Sequence, residues 1–215
     1  MTLGGERASV QNPFIGYAAA VGWEYVPPDR AEAMLGGAAG ILFKDSFIRQ
    51  LMRLNSPFLT RELAEELAKQ VGRIPPTIEG NLAAWEYLRG AKTVYVPSES
   101  RERDVRFIDT DDIGNNTFQV TDEYSFTNGT RTIRADVVFL INGIPVFLVE
   151  TKAAHKTEGI AEALDQVRRY LAAAEQLLGQ RPRPVLCYLN CGGRVHLVTD
   201  RWDTAEATPK EARDD

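Results

Sequence analysis

The feature that most constrains this chain is the stretch RADVVFLINGIPVFLVETK, residues 134–152, in which two β-favouring runs flank an Asn-Gly pair. Alternate or continuous apolar residues on both sides of such a pair read as a β-hairpin. Asp136 heads the first run, and Glu150 and Lys152 close the second. Side chains alternate along a strand, so Glu150 and Lys152 leave on one face and Thr151 on the other. Whether Asp136 joins them depends on the turn. A two-residue Asn142-Gly143 loop pairs Asp136 with Val149 and sends Glu150 to the opposite face. A three-residue Ile141-Asn142-Gly143 loop with Gly143 in a G1 bulge sets Asp136 opposite Leu148, which makes Asp136 and Glu150 diagonal neighbours about 7–8 Å apart. The three-residue turn is the expectation, because it gathers the charges.

Around this hairpin the first half of the sequence reads as helical and the second as a sheet with one long helix. Helices are expected from Glu6 to Ala20, ending at Gly22, and from Asp29 to Leu35 before the Gly-Gly-Ala-Ala-Gly run. Three more follow at Asp45 to Leu54, Thr60 to Val71 with Thr60 as N-cap, and Ile78 to Leu88. Strands are expected at Thr93 to Val96, Val105 to Asp109, Phe118 to Phe126, Thr132 to Ile141, Pro145 to Lys152, Val185 to Leu189 and Arg194 to Val198. In the third of these, Phe118, Val120, Tyr124 and Phe126 share a side by the period of two, with Asp122 interrupting. A helix from Glu158 to Leu178 carries the stripe Ile160, Leu164, Val167, Leu171, Ala174 and Leu178. The organisation is then one α/β domain over residues 1–203, helical over about 6–90 and sheet over about 93–200, with 204–215 as a tail or linker.

The composition of 215 residues, 44% apolar and 26% charged, excludes a disordered chain, a collagen and a disulfide scaffold. The longest apolar stretch, Val137 to Ile141, is too short to span a bilayer, and the start lacks a signal-peptide pattern. A cytoplasmic protein without membrane contact is expected. Cys187 and Cys191 lie four apart on one expected strand, roughly 13 Å, too far for a disulfide. Without a second pair or a His doublet they read as buried thiols rather than zinc ligands. The net charge of −5 argues against a protein that grips nucleic acid strongly by itself.

Two carboxylates close together at strand ends repel one another, and hard oxygen ligands suit Mg²⁺ or Mn²⁺, which relieves the repulsion. A neighbouring lysine can orient or help deprotonate a water while the ion stabilises charge on a phosphoryl oxygen. That is a layout for metal-assisted phosphodiester hydrolysis. Taken alone, three such residues could equally be strand-end surface charges with an exposed Glu150/Lys152 ion pair of little worth.

The surroundings extend the pattern. Asp136, Asn142-Gly-Ile-Pro145 and Glu150-Thr-Lys152, followed by Gln166 and Tyr170, resemble the N-terminal nuclease region of the R (restriction and motor) subunit of type I restriction enzymes, within the PD-(D/E)xK nucleases. Glu6 and Gly22-Trp-Glu24 resemble the opening helix and following turn of that family, so the likeness covers roughly residues 6–200. It implies a PD-(D/E)xK central mixed sheet flanked by helices, and an endonuclease that cuts double-stranded DNA after ATP-driven translocation. It makes Asp136 and Glu150 metal ligands, Glu6 a further contributor to the metal site, Lys152 the catalytic lysine, and Gln166 and Tyr170 supporting catalytic residues. It implies Mg²⁺ or Mn²⁺ as cofactor, with downstream helicase-like motor domains and methyltransferase and specificity subunits as partners. One departure is Ala135 where such nucleases often carry Pro.

Gln166 and Tyr170 sit four apart on the expected helix and share a face beside its apolar stripe. Arg134, Lys156, Arg168 and Arg169, with Arg131, cluster in sequence near the site as candidate DNA contacts. Asp136, Glu150, Glu158, Glu162 and Asp165 offset them, which points to DNA delivered by partners. His155 reads as a loop histidine and His196 as a strand one. No G-x-x-x-x-G-K-[ST] occurs, so ATP would act only through motor domains outside this chain. Two rivals remain: a docking module of the same fold without catalysis, and a repair or recombination nuclease.

Overall fold

The computed structural model describes residues 7–37, 39–75, 77–128, 131–151, 165, 168–169, 186–191 and 194–198. By its contacts the chain divides into two compact units, Pro13–Thr151 and Met1–Asn12 with Lys152–Asp215. A π-helical turn over Arg7–Gln11 runs into α1 (Asn12–Ala20), and then come β1 (Glu24–Tyr25), α2 (Pro28–Leu35), α3 (Lys44–Leu54), α4 (Arg61–Gly72) and α5 (Ile78–Leu88). The strands β2 (Thr93–Val96) and β3 (Arg101–Asp104), a 3-10 turn at Ile113–Asn115, and β4 (Phe118–Asn128), β5 (Arg131–Ile141) and β6 (Ile144–Val149) complete the first unit, to which Arg7–Gln11 does not belong. Within the second, β7 (Leu186–Cys191) and β8 (Arg194–Val198) pair antiparallel. Among the described residues no helix is long and apolar enough to cross a membrane.

The helices begin where the sequence supplies caps. Thr60 Oγ1 accepts from Leu63 N at 3.4 Å, and Thr77 Oγ1 accepts from Gly80 N at 3.1 Å, each satisfying a donor that the first turn leaves open. Pro28 opens α2, where its missing N–H costs nothing, and Gly36 closes it at φ +71°.

Four strands form the main sheet in the order β1-β4-β5-β6, with β1 parallel to β4 and the other pairs antiparallel. On one side Val120, Val137 and Phe139 pack with Ile15 and Ala18 of α1. On the other, Val138, Leu140, Tyr124 and Ala135 pack with Val26, Ala31, Leu35 and Phe43. A third cluster joins α3 and α4 to Val96, Val105, Phe107 and Ile144.

Two expectations about strands are corrected. Val120 and Tyr124 belong to clusters on opposite sides, although the period of two puts them together. The ladder pairs Asp122 with Val137 and Tyr124 with Ala135 but skips Glu123 and Asp136, and Glu123 has φ +53°. One left-handed residue rotates the strand at that point, so its two halves present opposite sides.

The expected strand Val105 to Asp109 is also absent; the chain instead pairs Arg101–Asp104 with Thr93–Val96. The apolar residues of the stretch are nonetheless buried, Val105 and Phe107 both lying inside. The neighbour, however, is a side chain. Asn55 Oδ1 accepts from Arg106 N at 2.8 Å and Asn55 Nδ2 donates to Arg106 O at 2.8 Å, supplying both bonds that a partner strand would. The expected helix Glu158 to Leu178 lies outside the described residues except for Asp165, Arg168 and Arg169, which are helical.

Candidate functional site

The β5–β6 hairpin turns through two residues, not three. Ile141 pairs with Ile144, and Asn142 and Gly143 both take positive φ, +54° and +80°, as a type I′ turn requires. Taken alone, that turn would put Glu150 on the face opposite to Asp136. A register shift reverses this: Leu140 pairs with Pro145 but Phe139 pairs with Phe147, leaving Val146 as an extra residue in β6. A bulge suits this place because Pro145 has no N–H to give a ladder, and β6 is an edge strand of its sheet among the described residues. Val137 therefore pairs with Val149, and the register carried one step further sets Asp136 across from Glu150. That extension brings the two carboxylates to opposed positions by a different route from the expected one, the ladder itself ending at Val137 and Val149. Directly opposed positions lie closer than the expected diagonal, about 4.5–5.5 Å between Cβ atoms.

Asp136 is half-buried and anchored. Thr151 N donates to its Oδ2 at 2.7 Å, and Thr151 Oγ1 donates to the same oxygen at 3.1 Å. Thr151 is itself buried, so it fixes the carboxylate from the protein side. Asp136 Oδ1 accepts no hydrogen bond among the described residues, which leaves one oxygen for a ligand. Glu150 is exposed. Among the described residues no group of three or more His, Cys, Asp or Glu could hold a metal. Two carboxylates nonetheless fit Mg²⁺, which is commonly held by one or two of them while waters and substrate phosphates fill the other positions.

The turn is held from beneath by a buried polar network that sequence reading missed. Asn142 is fully buried; its Nδ2 donates to Phe107 O at 2.9 Å and Asn116 Oδ1 at 2.8 Å, and its Oδ1 accepts from Thr117 N at 2.8 Å. Asn116 binds both backbone groups of Asp109, and Asp109 accepts from Asn115 Nδ2 and from the backbone N–H groups of Asp111 and Asp112. The Asn115 side-chain bond and the Asp112 and Asp111 amides, with the Arg106 guanidinium, lower the Asp109 carboxyl from 3.8 to about 2. Gly143 meets the first turn of α3, where Phe43 N donates to Gly143 O at 2.9 Å. The available signal was the density of Asn and Asp between 109 and 116.

Arg134 lies two residues before Asp136, and its Nε is 3.1 Å from Glu123 Oε2. Glu123 stands at the level the β4–β5 ladder skips beside Asp136, and nothing in the sequence singled it out. Arg168 pairs with Asp165 at 2.9 Å, and Arg169 Nε donates to Asp165 O at 3.4 Å. Glu6, Lys152, His155, Lys156, Gln166 and Tyr170 lie outside the described residues. His196 pairs with Tyr188, and Cys187 with Leu197, in the β7–β8 ladder.

Comparison with known proteins gives a consistent set of likenesses. A family model described as type I restriction enzyme R protein N terminus matches residues 5–203. Two proteins of Methanocaldococcus jannaschii are similar, both provisionally named. The type I restriction enzyme MjaVIIP endonuclease subunit is 36% identical over 85 residues, 40% of this chain and 8% of its own length. The type I restriction enzyme MjaIXP endonuclease subunit is 29% identical over 181 residues, 80% of this chain and 17% of its own length. The chain thus spans less than a fifth of either relative.

Proposed function

From the premise that this chain belongs to the type I restriction enzyme R protein N-terminus family, we propose that it is the endonuclease domain of such a protein, a PD-(D/E)xK nuclease that hydrolyses DNA phosphodiester bonds with Mg²⁺ or Mn²⁺. The observation that carries this reading is Asp136, inside β5, tethered through Oδ2 to Thr151, with the β5–β6 register running on toward Glu150 just past the end of β6. Asp136 and Glu150 would hold the ion, with Glu6 as a further contributor. Bound there, it would supply Lewis-acid stabilisation of charge on the phosphoryl oxygens.

The chain's own residues do the rest. Thr151 keeps the Asp136 carboxylate aimed, holding Oδ2 through its backbone N–H and its hydroxyl. Lys152, next in sequence, is the proposed group that orients the attacking water. Gln166 and Tyr170 support it, while Arg134, Lys156, Arg168 and Arg169 meet the phosphates. Arg134 pairs with the half-buried Glu123, and Arg168 sits in an exposed ion pair, which is weak enough to yield to a phosphate. ATP-driven motor domains elsewhere in a longer protein, and methyltransferase and specificity subunits, would deliver the double-stranded DNA.

Calorimetry with Mg²⁺ and Mn²⁺ on the wild type and on Asp136→Ala, with plasmid nicking in parallel, tests the proposal. The expected result is metal binding that Asp136→Ala abolishes, even where nicking awaits a motor. A wild type that binds neither ion, alone or with DNA, overturns it.

A further inference from the structure

Between α2, α3 and the β1 side of the main sheet lies a cavity of about 160 Å³. Its lining includes Glu24, Arg30, Met34, Ser46, Arg49 and Gln119. An adjoining hollow of about 270 Å³ shares Arg30, Met34, Ser46 and Arg49. Two buried polar side chains belong to this lining. Gln119 is 5% exposed, and its Oε1 has no hydrogen-bond partner. Turning the amide over only exchanges an unmet acceptor for an unmet donor, so the demand for a partner stays. Ser46 is 4% exposed and accepts from Arg49 Nη2 at 3.2 Å, which leaves its hydroxyl proton to give.

The rim carries two arginines. The one hydrogen bond Arg49 makes among the described residues is to the neutral Ser46, while the carboxylates of the lining are Glu24, beside Arg30, and Asp45 in the adjoining hollow. Arg30 is only loosely held, 3.5 Å from Glu24, with both side chains more than half exposed. A ligand that satisfies the whole set carries an anionic group for the guanidiniums, a donor and acceptor edge for Gln119 and Ser46, and a surface to lie against Met34. A nucleotide has all three. Gln119 pairs with Leu140, four residues along β4 from the level of Asp136, or roughly 13 Å, so the two sites are separate.

We propose that this cavity is a second nucleic-acid subsite that takes one nucleotide of a DNA strand, its phosphate on Arg30 and Arg49 and its base edge toward Gln119 and Ser46. The inference rests on the reading of the chain as a DNA-handling domain. A cavity of this volume holds about five waters at ~30 Å³ each, so it accepts a nucleotide's edge rather than a whole dinucleotide.

Fluorescence anisotropy of a labelled oligonucleotide, as single strand and as duplex, over a salt series tests this on the 215-residue chain and its variants Arg49→Gln, Arg30→Gln and Gln119→Leu. Thymidine 5′-monophosphate serves as competitor. Arg49→Gln and Arg30→Gln should each weaken binding several-fold and lower the salt slope by about one. Gln119→Leu should weaken binding with an unchanged slope and an undiminished Tm, because removing an unmet polar group does not cost fold stability. Competition by the free nucleotide at concentrations comparable to the oligonucleotide would support the cavity and assign it to free nucleotide. Equal binding by the wild type and all three variants would overturn the subsite and leave a water-filled cavity. A wild type that binds no oligonucleotide at any salt, while still binding Mg²⁺ through Asp136, would overturn the subsite and spare the metal centre.

Discussion

Gly143 carries two constraints at once. Its φ of +80° is costly for any residue with a Cβ, and a Cβ there would stand 2.7 Å from Phe43 O and 3.0 Å from Phe47 N. Neither neighbour is a flexible side-chain end. Gly143→Ala should therefore destabilise the chain by on the order of 2–4 kcal/mol, combining left-handed strain with overpacking. Urea unfolding measures it, and a loss below about 0.5 kcal/mol would show that the turn shifts freely. Asp109 gives a second prediction at this scale. Its folded-state pKa of about 2 lies below the ordinary 3.8, so the stability it contributes is present above the ordinary value and is lost as pH falls through the folded one. Thermal melts between about pH 4 and pH 2 should show a decline that Asp109→Asn flattens. Identical profiles would mean that the Asn115, Asp111 and Asp112 bonds do not hold the carboxylate in solution.

Elements set the site through parity. The I′ turn and the Val146 bulge each move the register, and only together do they oppose Asp136 and Glu150. Deleting Val146 should throw Glu150 to the other face and abolish Asp136-dependent metal binding while both carboxylates remain, which calorimetry on the deletion variant would read. Unchanged affinity would mean that the two need not share a face. The same element shows what the sequence could and could not reveal. Composition and the Asn-Gly pair marked the hairpin, because turn chemistry and apolar runs are local. The bulge was legible only weakly, through Pro145, since its position depends on cross-strand partners far along the chain. Helices α3, α4 and α5 were legible to within about a residue, because the apolar spacing, with Thr60 and Thr77 as caps for α4 and α5, agrees with what packing demands. The Val105 to Asp109 stretch misled because Asn55, fifty-one residues away, stands in for a strand. Thr151 and Glu123 escaped for the same reason: their importance lies in whom they meet.

At the scale of the molecule, charge sets how much of the proposed DNA binding this chain could supply. It carries 30 acidic against 25 basic side chains, and described arginines near the candidate site or on the second unit's helix are already paired, Arg134 with Glu123 and Arg168 with Asp165. Each such pair must open before a phosphate can take its place, so the net gain per contact is small. On the proposed endonuclease reading, a domain with little grip of its own suits a protein in which other parts hold and move the DNA, and the relatives are more than five times the length matched here. The salt dependence of binding follows. With Arg134 and Arg168 already paired and adding little, the proposed contacts amount to two or three phosphates neutralised in effect, the slope of log K against log salt should be near −2 to −3, and raising salt from about 50 to about 200 mM should weaken the isolated chain's DNA binding only about 15- to 60-fold. A protein making six to ten phosphate contacts would lose about 10³- to 10⁵-fold over the same range. A loss of that size, measured by anisotropy on the 215-residue chain, would mean that this chain itself presents a full DNA-binding face and that delivery by partners is not needed for affinity.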